Sequence, residues 1–164
     1  ITNPDGTTFV SDVVFQGNGS LGYYDMGETT LPQTGTYTIL WDPYANSTGS
    51  TTLTFYKVPA DFSGKITIGG AAEVVTIGTP GQNAKVTFSG TASEEVQLTI
   101  SGVTIPDSEV SILNPSGKTL TYGYIDTLGG TLTGTLGTTG TYTIMVAPEA
   151  GGTGSMTLTL AKVS

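Results

Sequence analysis

The stretch Thr34-Gly35-Thr36-Tyr37-Thr38-Ile39 recurs letter for letter as Thr139-Gly140-Thr141-Tyr142-Thr143-Ile144, at an offset of 105 (142 − 37). The same offset joins Pro43 to Pro148, Thr48-Gly49-Ser50 to Thr153-Gly154-Ser155, Leu53 to Leu158 and Lys57-Val58 to Lys162-Val163. Upstream, Asn3-Pro4-Asp5-Gly6 matches Asn114-Pro115-Ser116-Gly117 at an offset of 111 (114 − 3), so the first copy carries six extra residues in between (111 − 105). Solenoid units run roughly 20–50 residues. A period near a hundred is instead the size of a small domain, so the expectation is a tandem array of domains. The copies are unequal. The second runs from about Asp61 to Ser164, whereas the first has only its back half, Ile1 to about Val58, with no counterpart of Ile66–Val110. The implied division is 1–58 as the back half of a first repeat, 59–64 as a short linker and 65–164 as a complete second repeat. Half a sandwich bares one face of its core. The expectation is therefore a fragment of a longer polypeptide, or a chain whose missing strands come from another subunit.

Period-two alternation dominates both copies. Val96, Leu98 and Ile100 alternate with Gln97 and Thr99; Met156, Leu158 and Leu160 alternate with Thr157 and Thr159; Leu53 and Phe55 alternate with Thr52 and Thr54. Thr, roughly one residue in five, supplies the polar half of that alternation. Such strands bury one face and wet the other. In the second copy the pattern predicts strands near 65–69, 73–77, 83–89, 95–103, 108–114, 118–125, 131–135, 140–147 and 155–162, with the last few repeated in the first copy. Asn-Pro-x-Gly, Pro80-Gly81 and Gly69-Gly70 supply turn chemistry between them. No segment has helical apolar spacing, so no helix beyond a single turn is expected. Short strands at this spacing point to all-β, antiparallel, jelly-roll or Greek-key-like sandwiches. Tyr37 and Tyr142, each entering a strand from a crossover, are candidate corner residues that bury the ring and return the hydroxyl to upstream backbone.

Charge excludes several functions. With a net charge of −8 and only five cationic side chains, the chain has no surface to neutralise phosphates, so neither nucleic acid nor an anionic membrane is an expected partner. No apolar run approaches the ~18 residues of a membrane span. The chain has no His and no Cys. Ser-His-Asp and thiol catalysis are therefore ruled out. Paired carboxylates remain the one catalytic arrangement to weigh. Glu94 and Glu95 are adjacent, so on a strand they face opposite ways, and Asp107 and Glu109, which could share a face, follow Pro106 in an expected turn. No enzymatic activity, catalytic residue or cofactor site is expected.

The run Pro80-Gly81-Gln82-Asn83-Ala84 to Thr87-Phe88-Ser89-Gly90-Thr91-Ala92 resembles a Thr/Gly-rich repeat of large secreted or surface bacterial proteins. So do Leu31-Pro32, Thr34 to Ile39, Asp42-Pro43, Thr48-Gly49-Ser50 and Val58-Pro59-Ala60-Asp61. Such repeats often accompany YD or RHS-type repeats, and they are more distantly similar to bacterial pre-peptidase C-terminal domains. The resemblance implies a β-sandwich with a spacer or surface role outside the cell, and it transfers no catalytic residue. The second copy departs from the pattern at Leu136-Gly137, in place of Leu-Pro, and at Ala147, in place of Asp.

Several short motifs imitate chemistry. Leu31-Pro32-Gln33-Thr34-Gly35 spells a sortase signal, but an expected core strand follows it instead of an apolar stretch and basic tail. Gly17-Asn18-Gly19-Ser20-Leu21-Gly22 spells GxGxxG without the helix that would face a pyrophosphate. Gly117-Lys118-Thr119 lacks the first glycine of a phosphate loop. Calcium is the more reasonable chemistry, through Asp25, Glu28 and Asp42, or Asp126 and Glu149, given converging oxygens. None of these acids recurs at the equivalent position, however, so no metal site is assigned. Tyr122, Tyr124 and Tyr44, with Tyr23 and Tyr24, are candidate ligand contacts that could stack on sugars; core or interdomain packing is the alternative. The leading expectation is a non-enzymatic structural module whose partners are copies of itself or the rest of a longer chain. A glycan-binding or adhesive module is the second.

Overall fold

A computed structural model describes residues 1–11, 28–43, 46 and 48–163, and the chain divides into two units, Ile1–Phe55 and Tyr56–Ser164. In the second unit the alternating segments form β1 (Phe62–Lys65), β2 (Glu73–Ile77), β3 (Ala84–Gly90), β4 (Glu95–Ser101), β5 (Asp107–Leu113), β6 (Thr119–Asp126), β7 (Gly130–Thr135), β8 (Gly140–Pro148) and β9 (Gly154–Lys162). One sheet has the order β1-β3-β8-β5-β6 and the other β2-β9-β4-β7. This is an all-β sandwich. Its helical content, among the described residues, is a single 3-10 turn at Glu149–Gly151.

Alternation sets which residues meet in the middle. Val86 and Phe88 of β3, Leu98 of β4, Tyr142 and Ile144 of β8 and Leu158 of β9 are all buried, while their strand neighbours face outward. Removing each such side chain from water contributes roughly 1.5–3 kcal/mol, so the two inner faces account for most of the drive to fold. Gly90 permits the closest approach. A side chain there would collide with Leu136 and sit 3.4 Å from the Tyr142 ring. The Asn114–Gly117 turn is closed by Gly117 N–H donating to the Asn114 carbonyl at 2.8 Å, with Gly117 at φ +80°.

The chain departs from the expected pattern in its first strand. β1 lies at Phe62–Lys65, inside the segment read as a linker, and not at 65–69. It also pairs in parallel with β3, Phe62 opposite Ala84, whereas the other strand pairs are antiparallel. After Ile66, Gly70 N–H donates to the Thr67 carbonyl at 2.9 Å and Gly69 takes φ +72°, so a turn occupies the place of the expected strand.

The first unit behaves differently. Its described residues contain two isolated bridges, Thr2–Thr8 and Thr2–Thr38, and no extended strand. Strands expected around Tyr37–Trp41 and Leu53–Phe55 are not formed. The bridges nevertheless keep the register of the second unit. Leu113 pairs there with Thr119 and Thr143, which are the counterparts of Thr2, Thr8 and Thr38 at the two offsets. The Asn3–Gly6 turn also repeats its counterpart, with Gly6 N–H donating to the Asn3 carbonyl at 3.0 Å and Gly6 at φ +85°.

In the second unit β9 lies between β2 and β4, and β7 pairs only with β4. Among the described residues of the first unit, the only pairings are the two bridges at Thr2, so no described strand lies beside Leu53–Phe55.

Candidate functional site

Tyr142 enters β8 fully buried, and its ring stacks on Phe88 at 5.4 Å between centroids. Its hydroxyl donates to the Thr138 carbonyl at 2.8 Å and accepts from Thr138 N–H at 3.2 Å. Tyr37 makes the same pair of bonds with Gln33, at 2.8 and 3.0 Å. Two backbone groups of the crossover are thereby satisfied four residues upstream of each ring. Behind both corners the Asn-Pro turn packs closely: a Cβ on Gly140 would lie 2.8 Å from Pro115, and one on Gly35 would lie 2.7 Å from Pro4. The corner is thus a local device, closed in both units by contacts four residues apart. What differs is the ring's surroundings. Tyr37 is half-buried and meets Phe9 edge-on at 5.8 Å, whereas Tyr142 stacks on Phe88.

Gln33 is also the variable residue of the Leu31–Gly35 pentapeptide, so that motif supplies the corner's backbone. Its side-chain amide donates to Asp5 Oδ2 at 2.7 Å. The Thr7 hydroxyl, followed by that amide and Thr7 N–H, holds the Asp5 carboxyl down to about 2. Ser116 and Thr138 stand at the equivalent positions in the second unit, where this tie cannot form.

Tyr122 and Tyr124 lie on β6, an edge strand, and both are exposed rather than packed into the core. A Cβ on Gly123 would lie 2.9 Å from Leu132 in the opposite sheet, and Ile125 is buried. Gly123 and Ile125 thus face inward and the tyrosines outward. Their rings meet edge-on, 6.2 Å apart at 87°, so they present two perpendicular faces rather than one flat platform. Glu109 of β5 sits opposite Tyr124, and its charge pushes the Tyr124 phenol above its ordinary range. Tyr44, Tyr23, Tyr24, Asp25 and the Gly17–Gly22 motif lie outside the described residues.

Among the described residues the acids do not converge, and no three ligating side chains form a metal-sized group. Asp126 accepts from Leu128 N–H at 2.7 Å within its own turn. Glu94 accepts from Thr91 N–H at 2.9 Å, which lowers its carboxyl, and ion-pairs with Lys162 at 3.4 Å. Asp107 and Glu109 lie not in a turn but on β5, opposite Asp126 and Tyr124. Open depressions near the β3–β8 edge are lined by residues such as Lys65, Thr87, Phe88 and Thr141, with no carboxylate among them.

The least expected surface lies in the first unit. Leu31, Ile39, Trp41, Leu53 and Phe55 are 58, 40, 51, 50 and 67% exposed. Their counterparts at offset 105 are Leu136, Ile144, Val146, Leu158 and Leu160, of which the first four are 0% and the last 1% exposed.

Scanned against protein-family models and curated proteins, the chain matches none. Solved structures with a distant similarity include the pre-peptidase C-terminal domain of a collagenase from Bacillus anthracis, at 12% identity and a TM-score of 0.47, over 61% of this chain and 95% of that one. Another is PliG, a periplasmic inhibitor of g-type lysozyme from Aeromonas hydrophila, at 17% identity and a TM-score of 0.42, again over 61% of this chain and 95% of that one.

Proposed function

We propose that this chain is a non-enzymatic structural module of an extracellular bacterial surface protein or fibre, built from tandem copies of one β-sandwich repeat. The observation that carries the reading is that both copies preserve scaffold and neither preserves chemistry. The Tyr corner, the Asn-Pro turn and the Thr2/Leu113 register recur, whereas the acids and the exposed tyrosines do not. A module selected for a ligand would be expected to repeat the ligand's contacts. One selected to space or to assemble needs only the fold. The acidic charge accords with partners that are neither nucleic acid nor membrane, and the placement outside the cell follows from the repeat resemblance.

A second reading, a carbohydrate-binding or adhesive module, is favoured by one observation: Tyr122 and Tyr124 are exposed side by side, next to Glu109. Titration against a panel of glycans separates the two. The structural reading expects no saturable binding. Micromolar binding abolished by Tyr122→Ala, in a variant that keeps its unfolding midpoint, would replace it with the adhesive one.

A further inference from the structure

We propose that the outer face of β5 and β6 binds a small quaternary ammonium ion, with Tyr122 and Tyr124 as aromatic walls, Glu109 as counter-charge and Ser111 as the polar group beneath. The proposal goes beyond the structural-module reading, because a spacer can carry such a site on one of its repeats. Alternation builds the site. Val110 and Ile112 are buried in the core, so Glu109 and Ser111 turn outward on either side of Val110. Register then sets Glu109 opposite Tyr124 on β6 and Ala147 on β8, and Ser111 opposite Tyr122 and Met145. Across these three strands neither row holds a cationic side chain. The next outward pair is Asp107 opposite Asp126, both exposed, so the field at this end is negative.

Ser111 is the observation that points to a ligand. It lies on the outer face, between Tyr122 and Met145, yet only 6% of it is exposed. Among the described residues no side chain or backbone group partners its hydroxyl. Buried hydroxyls are as a rule hydrogen-bonded, so this one is open to a group arriving from outside. The rings above it decide which group. They stand at 87° with centroids 6.2 Å apart, so their faces border a corner. A flat sugar stacks on one face, whereas a compact cation is drawn to the faces of both. The charge of Glu109, then burial, then the charge of Glu149 push the Tyr124 phenol up, so both carboxylates act at this ring. Neither is ion-paired among the described residues. A metal ion needs several converging oxygens and a primary ammonium needs acceptors for three N–H groups. A quaternary ammonium needs neither: it offers methyl surface to the rings and diffuse charge to the carboxylates.

Choline is the probe. Titrated into the isotope-labelled 164-residue chain at constant ionic strength, it is expected to shift the amide resonances of Ser111, Tyr122 and Tyr124 saturably in the millimolar range. The neutral alcohol in which carbon replaces the choline nitrogen is expected to bind about tenfold more weakly, since it keeps the shape and loses the charge. Tyr122→Leu and Tyr124→Leu, both at exposed positions, are each expected to weaken choline by about fivefold with the unfolding midpoint unchanged. Ser111→Ala is expected to weaken choline and to leave tetramethylammonium, which has no hydroxyl, unaffected. Shifts no larger than those from sodium chloride overturn the proposal. So does equal binding of the neutral alcohol by the parent chain, which would make the corner an apolar patch, and so does choline affinity unmoved by both Leu substitutions together.

Discussion

At the scale of single residues, the corner tyrosines bind the crossover to the strand it enters. Tyr142→Phe removes one hydroxyl that serves both backbone groups of Thr138 in part-buried hydrogen bonds and is expected to cost about 1–2 kcal/mol. Tyr142→Ala also empties a core site and is expected to cost roughly 3–5 kcal/mol. Chemical denaturation followed by far-ultraviolet dichroism measures both, and a Phe variant as stable as the parent would remove the hydroxyl's role. Tyr37→Phe is expected to cost less, because water reaches that half-exposed hydroxyl's partners. Asp5 offers a titratable check on the same corner. Its folded carboxyl lies below its ordinary value of 3.8, at about 2, chiefly through the Thr7 hydroxyl. A depressed carboxyl contributes stability above its unfolded value, and that contribution is lost as the pH falls through the folded one. Carbon-detected titration is therefore expected to place the Asp5 midpoint near 2, and Thr7→Val to raise it. A midpoint that Thr7→Val leaves unchanged would contradict the hydrogen-bonded arrangement.

At the scale of strands, a segment's own pattern is only half of what makes it a strand. Leu53-Thr54-Phe55 alternates as cleanly as Leu158-Thr159-Leu160, yet only the latter forms one, because β9 has neighbours on both sides. Propensity belongs to the segment, while pairing depends on what lies beside it. For that reason alternation and turn residues made most of the second unit's strands and its all-β class legible. The same signals overstate the first unit, where no described strand lies beside Leu53–Phe55. β1 departs from its expected position for a related reason. Phe62-Ser63-Gly64-Lys65 has little alternation of its own and is held by parallel pairing to β3, a long-range contact no local pattern encodes. The outward tyrosines of β6 were legible in principle, since buried Ile125 fixes the phase of Tyr124. Equal substitutions at equivalent positions then separate. Leu158→Ala is expected to cost roughly 2–5 kcal/mol, as truncation in a packed core does. Leu53→Ala is expected to change stability by no more than about 0.5 kcal/mol, as at a surface position. Paired urea titrations compare them, and similar losses at the two sites would mean that the first unit is packed after all.

At the scale of the whole chain, the corner and the Asn-Pro turn form in both units, whereas extended strands are described only in the second. Turns and corners rest on contacts a few residues apart, whereas strands such as β7 and β9 rest on long-range pairing. Native-state hydrogen exchange tests this most directly, because amides in paired strands open only with the unit, while unpaired ones exchange through local fluctuations. In the 164-residue chain, amides of β3, β4, β8 and β9 are expected to be protected together. In the first unit protection is expected at Thr2 and Thr38, and none at Leu53 to Phe55. Protection of Leu53 to Phe55 equal to that of Leu158 to Leu160 would contradict the account.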